Sequence, residues 1–192
     1  MIEKVISAAE DFSEFALAGD RQQARASLAA LRQFALRIKP ALPAAASANL
    51  EEAVSAAEVA FKNGGNPQAA LAALSAYRIL VRALNTRLTT TLDVAMLDYS
   101  GFRLHALIAA ATIDWRAVSD TVAQSADATR NTRRLLANEP GLRDLTASVQ
   151  NGLEGASAAK SAAWLQSTAQ IQLDSVDLLE KVIANPSPTA CP

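Results

Sequence analysis

The residues of this chain best suited to chemistry fall in one stretch, Asp93-Val-Ala-Met-Leu-Asp98-Tyr99-Ser-Gly101-Phe102-Arg103-Leu-His105. Asp98 and His105, the single histidine, stand seven residues apart. On a helix that spacing puts both on one face, about 10.5 Å apart along the axis. They are too far apart for a simple one-turn pair, and a metal shared between them would need unusual side-chain reach. Gly101 lies between them. A glycine inside a helix costs about 1 kcal/mol relative to alanine, and it leaves a notch that a ligand or a neighbouring backbone can enter. Two readings follow. In one, Asp98, Tyr99, Phe102, Arg103 and His105 line a small ligand pocket. In the other, the notch admits a neighbouring helix, and each polar group is satisfied by hydrogen bonds within the fold.

Other catalytic signatures are missing. The sequence has no glycine-rich phosphate loop, no Gly-x-Ser-x-Gly elbow and no Cys-x-x-Cys. One histidine cannot make a His-x-x-x-His zinc pair, and the Glu-x-x-His motif of di-iron bundles does not occur. No catalytic residue is named on this basis, and no cofactor or metal ligand set is identified. Glu10, Asp11 and Glu14 form an acidic patch, but a metal site there would need ligands from a second helix.

The element that carries these residues is read as a helix from about 90 to 111, apolar in nearly every direction. Such a helix is normally surrounded by others. Helical periodicity continues along the rest of the chain. Helix 1 covers about 2–18 and stops at Gly19-Asp20, where Asp20 and Gln23 make a capping-box-like restart. Helix 2 runs to Lys39, ahead of Pro40 and Pro43. Helix 3 covers about 47–62, with Asn49 and Glu52 as a capping pair, and ends at Asn63-Gly64-Gly65. Asn66-Pro67 opens helix 4, which reaches Leu84. Thr90 with Asp93 caps helix 5. Asp114 opens helix 6, which ends near Ala137. Helix 7 starts near Leu142 and fades at Gly152 or Gly155. Helix 8 runs from about 158 to 184.

The expectation is an all-α, antiparallel bundle of about eight helices in a single domain over 1–184, followed by a proline-rich tail over 185–192 that holds Cys191. Punctuation repeats: Asp20 corresponds to Asp114, and Pro40 with Pro43 to Pro140. This suggests halves 1–87 and 88–184 made from a duplicated four-helix unit. Trp164 and Tyr77 are expected in the core, and Asp174, Asp177 and Lys181 on a solvated face.

Composition agrees with this layout. Of 192 residues, 51% are hydrophobic and 19% charged, and alanine, the best helix former, is roughly a fifth of the chain. A net charge of −1 gives no clustered basic surface for nucleic acid, and no segment has the ~20 apolar residues of a membrane span. The start lacks a signal-peptide pattern. A periplasmic location is therefore expected if a leader has been removed, and a cytoplasmic one otherwise. In general layout the chain resembles bacterial helical-bundle sensor and binding proteins, a likeness of fold alone. Two functions fit. One is a non-catalytic binding protein holding a small ligand or metal between helices around helix 5. The other is a protein–protein interaction or scaffold module, with self-association into a homo-oligomer among its forms.

Overall fold

In a computed structural model, residues 1–84 and 91–184 are described. Among them are eight α-helices: α1 (Ile2–Ala18), α2 (Arg21–Ile38), α3 (Ala44–Lys62), α4 (Asn66–Ala83), α5 (Leu92–Ile108), α6 (Trp115–Leu135), α7 (Pro140–Ala158) and α8 (Ala162–Ala184). A short 3-10 turn, Lys39–Ala41, follows α2. No strand occurs among the described residues. The protein is an all-α helical bundle. Thr90, Cys191 and the tail lie outside the described residues.

The breaks have local causes. α1 ends at Gly19, whose φ of 79° is the left-handed conformation open to glycine. Asp20 and Asp114 each accept two backbone N–H bonds at the start of α2 and α6, satisfying donors that a helix start leaves without partners. Thr91 caps α5 through Val94 N. α3 starts at Ala44, directly after Pro43, so Asn49 and Glu52 are interior residues and not a cap. α7 does not fade at its glycines. Gly152 and Gly155 face α8, where added Cβ atoms would come within 2.9 Å of Thr168 and 2.6 Å of Trp164. The glycines let α7 and α8 approach closely, and this packing outweighs their poor helix propensity.

Each half of the chain closes on itself. α1 and α3 both pack against α2 and α4, while α5 and α7 both pack against α6 and α8. The halves meet where α4 and α1 pack on α5. Contact pairs show the antiparallel sense. Arg32 of α2 meets Glu58 of α3 and Lys39, just past the end of α2, meets Glu51, while Gly152 faces Thr168 and Gly155 faces Trp164 between α7 and α8.

Buried positions also recur. After its cap, α2 buries Ala24, Leu28, Leu31, Ala35 and Ile38. α6 buries Val118, Val122, Ser125, Thr129 and Thr132 at the same steps after Asp114. The chemistry differs between the two sets. The first interior is apolar apart from Ser13, whereas the second buries Thr121, Ser125, Thr129, Thr132, Thr146, Gln150, Thr168, Gln172 and Ser175. Several of these find partners: Ser125 Oγ donates to Gln172 Oε1, Gln172 Nε2 donates to Leu97 O, and Gln150 Nε2 donates to Val122 O.

α5 is the shared wall, in contact with α1, α4, α6 and α8. Ten of its seventeen residues are buried, as its all-round apolar pattern implies. Tyr77 is in the core, 2% exposed. Trp164 is not: it is 47% exposed, lying across Gly155 at the surface. With Ile171 and Leu178 it forms an exposed apolar line along α8.

Candidate functional site

A site forms where α1 and α8 flank α5. α1 has an apolar face of Ile2, Val5, Ile6, Ala9 and Phe12 turned into the core, and Glu10 sits at the edge of that face. The helix therefore carries Glu10 inward, while Asp11 and Glu14 remain exposed. Asp98 on α5 meets it there. The two carboxyl groups are hydrogen-bonded to each other. Tyr77 of α4 closes the group from below, with its hydroxyl 2.9 Å from Asp98 Oδ2 and 3.0 Å from Ala95 O. Two carboxylates cannot hydrogen-bond without a proton between them, because an ionised carboxyl is acceptor-only.

The electrostatics follow from that geometry. Burial pushes the Glu10 carboxyl up to about 10, and Asp98, Glu180 and Asp11 add to the effect. Burial also raises Asp98, partly offset by the bonds from Glu10 and Tyr77 that favour its charged form. The pair titrates as a unit in which Glu10 donates and Asp98 accepts. Tyr77 is raised well above its ordinary value by burial and then by Asp98 and Glu10. Glu180 of α8 is raised by burial and by Asp98, Asp177 and Glu3.

Two adjoining clefts open onto this group. One, of about 230 Å³, is lined by Glu3, Ile6, Ser7, Glu10, Tyr77, Ala95, Asp98, Val176, Asp177 and Glu180. The other, of about 390 Å³, is lined by Glu10, Glu14, Leu17, Asp98, Phe102, His105, Gln170, Leu173, Asp174 and Asp177. Glu10, Asp98 and Asp177 belong to both, so the clefts form one furrow along α5. Seven carboxylic acids line it, and no Lys or Arg does. His105 lies in the second cleft, where burial lowers its pKa. Its Nε2 is enclosed and has no hydrogen-bond partner among the described residues.

The five residues singled out from the sequence are thus divided. Asp98, Phe102 and His105 line the furrow. Tyr99 and Arg103 are placed elsewhere. Tyr99 is fully buried, with its ring edge-on to Tyr77 at 5.9 Å. Arg103 reaches α6, donating through Nε to Thr121 Oγ1 and through Nη1 to the Tyr99 hydroxyl. Gly101 is enclosed by α8, and an added Cβ would lie 2.5 Å from Leu173 Cδ2. Close packing over Gly101 and the furrow therefore lie side by side on α5, with Leu173 of α8 at their border. Sequence spacing did not reveal Glu10, Tyr77, Asp177 and Glu180 as neighbours of Asp98. The available signal was Glu10 at the edge of an apolar stripe. Asp174 and Asp177, expected on a solvated face, are exposed and also line the furrow.

No three His, Cys, Asp or Glu side chains among the described residues converge as a metal-holding group, and no described helix is long and apolar enough to cross a membrane. The chain stands apart in comparison. No family model matches it, and no curated protein or solved structure shows significant similarity to it.

Proposed function

We propose that the chain is a non-catalytic binding protein that takes a small organic cation, one with two or more ammonium groups, into the furrow between α1, α5 and α8. The observation that carries this reading is the one-signed lining: seven carboxylic acids across two joined clefts with no basic side chain. A cleft lined by one sign of charge focuses the field and raises the local concentration of oppositely charged ligands. Burial, with the neighbouring acids Asp98, Glu180 and Asp11 adding to it, already holds a proton on Glu10. An extended furrow with spaced carboxylates suits a chain of ammonium groups better than a single compact ion. Phe102 lines the furrow and supplies an aromatic ring there, and His105, whose pKa burial lowers, adds no competing charge at neutral pH.

The test is calorimetric titration at low salt with spermidine, with putrescine and Mg²⁺ as comparison arms. Spermidine is expected to bind, weaken as salt rises, and lose at least about tenfold in affinity in Asp98→Asn, roughly one lost charge contact at 1.4 kcal/mol. Arg103→Met, directed at α6, is expected to bind like the parent. No spermidine heat at low salt, or equal affinity in Asp98→Asn, removes the reading.

A second reading, an interaction module, has its own observation. Trp164, Ile171 and Leu178 are exposed and spaced seven apart on α8, the repeat by which a helix presents one seam to a second copy of itself. Sedimentation of the parent and of Ile171→Glu tests it: a parent that stays monomeric at all concentrations ends it.

A further inference from the structure

We infer that the Glu10–Asp98–Tyr77 group is a proton-dependent clasp across the junction of the two four-helix halves, and that loss of its protons weakens that junction at α1 and α5, while the apolar core shared by the halves keeps them together. This does not depend on the cation-binding reading. Glu10 and Tyr77 belong to α1 and α4 of the first half, and Asp98 belongs to α5 of the second. Glu10 and Tyr77 each bond to Asp98 at the place where the halves meet.

Counting protons shows how the clasp works. Three hydrogen bonds link Glu10, Asp98, the Tyr77 hydroxyl and Ala95 O. With one proton on Glu10 and one on Tyr77, Glu10 donates to Asp98, and the single Tyr77 proton is shared between Asp98 Oδ2 and Ala95 O. A third proton, on Asp98 Oδ2, lets every bond have its own donor: Glu10 to Asp98, Asp98 to Tyr77, and Tyr77 to the carbonyl. Lowering the pH therefore completes the chain of bonds. Raising it strips Glu10 and leaves two carboxylates in contact in a partly desolvated setting, where like charges strongly oppose one another.

The surroundings act in the same direction. α1 adds Glu3, Asp11 and Glu14, and α8 adds Asp174, Asp177 and Glu180. From α5, His105 also faces the furrow. Of the cations on α4 and α5, Arg78 lies over the Tyr99 ring and Arg103 points to α6; α8 adds Lys181, one turn beyond Asp177.

The sign of the pH dependence is set by burial. Glu10 titrates near 10 in the folded protein, against an ordinary 4.5. Between those limits the folded state binds the extra proton, so stability falls as pH rises, by about tenfold in the folding equilibrium per pH unit for one proton. His105, lowered in the fold, has the opposite slope but only below its ordinary range. Glu180 has the same sign as Glu10 and remains in every variant.

The experiment compares the whole chain with Glu10→Gln, whose amide donates to Asp98 without a titrating proton. Folding equilibrium constants from urea unfolding between about pH 7 and 9 are expected to fall with pH in the parent by nearly tenfold per unit more than in Glu10→Gln. Equal slopes in the two proteins overturn the clasp. Should Glu10→Gln fail to fold, a measurement on the parent decides. Infrared spectra give a reading on the parent alone: a protonated-carboxyl C=O band present at pH 8 supports the clasp, and its absence overturns it.

Discussion

Replacing Gly101 with leucine tests a close approach of α8 to α5. A Cβ at this position would lie 2.5 Å from Leu173 Cδ2 and 2.7 Å from Leu173 Cγ, with Ala169 O at an ordinary 3.6 Å. The obstacle is thus one side chain on α8 and not its backbone. Leu173 is half-buried and borders the furrow, so it has somewhere to move. Overpacking a core typically costs about 1–3 kcal/mol, and leaving glycine in a helix returns about 1 kcal/mol. The expected net is a destabilisation of up to about 2 kcal/mol. Urea unfolding with m near 2 kcal/mol/M converts this into a midpoint lower by up to about 1 M. The double variant Gly101→Leu with Leu173→Ala exchanges the volumes across the contact. It should recover at least about 1 kcal/mol relative to additivity, as contacting residues do in a mutant cycle. A Gly101→Leu protein more stable than the parent, or a strictly additive double variant, would refute the argument that α8 seats on this glycine.

Two further outcomes are expected. Tyr77→Phe keeps the ring against Tyr99 but removes the hydroxyl that bonds Asp98 and Ala95 O; it should cost about 1.5–3 kcal/mol at neutral pH, the range for hydrogen bonds to charged groups, and an unchanged thermal midpoint would contradict the placement of that hydroxyl. Asp114→Ala should destabilise by about 1 kcal/mol through loss of the two capping bonds at α6, read as a lower urea midpoint, whereas Arg32→Ala should change stability by less than about 1 kcal/mol, because its bridge to Glu58 is exposed.

The sequence by itself determined the helices and most of their breaks. Alanine content, 3.6-residue periodicity and capping residues such as Asp20 and Asp114 act within a few residues of the chain, so their effects are legible locally. The same holds for the enclosure of α5, since an apolar surface on all sides must be covered from all sides. Tertiary structure decided where local rules tie or conflict. Gly152 and Gly155 read as a helix end until α8 is seen lying on them. Trp164 reads as core until the same contact leaves its ring half in solvent. Asp98 and His105 were visible as one face of one helix. Tyr99 and Arg103, neighbours of Asp98 in sequence, are turned away to Tyr77 and α6. The partners of Asp98 come from α1, α4 and α8, up to 88 residues distant in sequence, as with Glu10. No periodicity encodes that meeting. It exists because apolar packing of α1, α4 and α8 on α5 brings acids together that, as separate charges in water, would stay apart, and the fold accommodates them by keeping a proton.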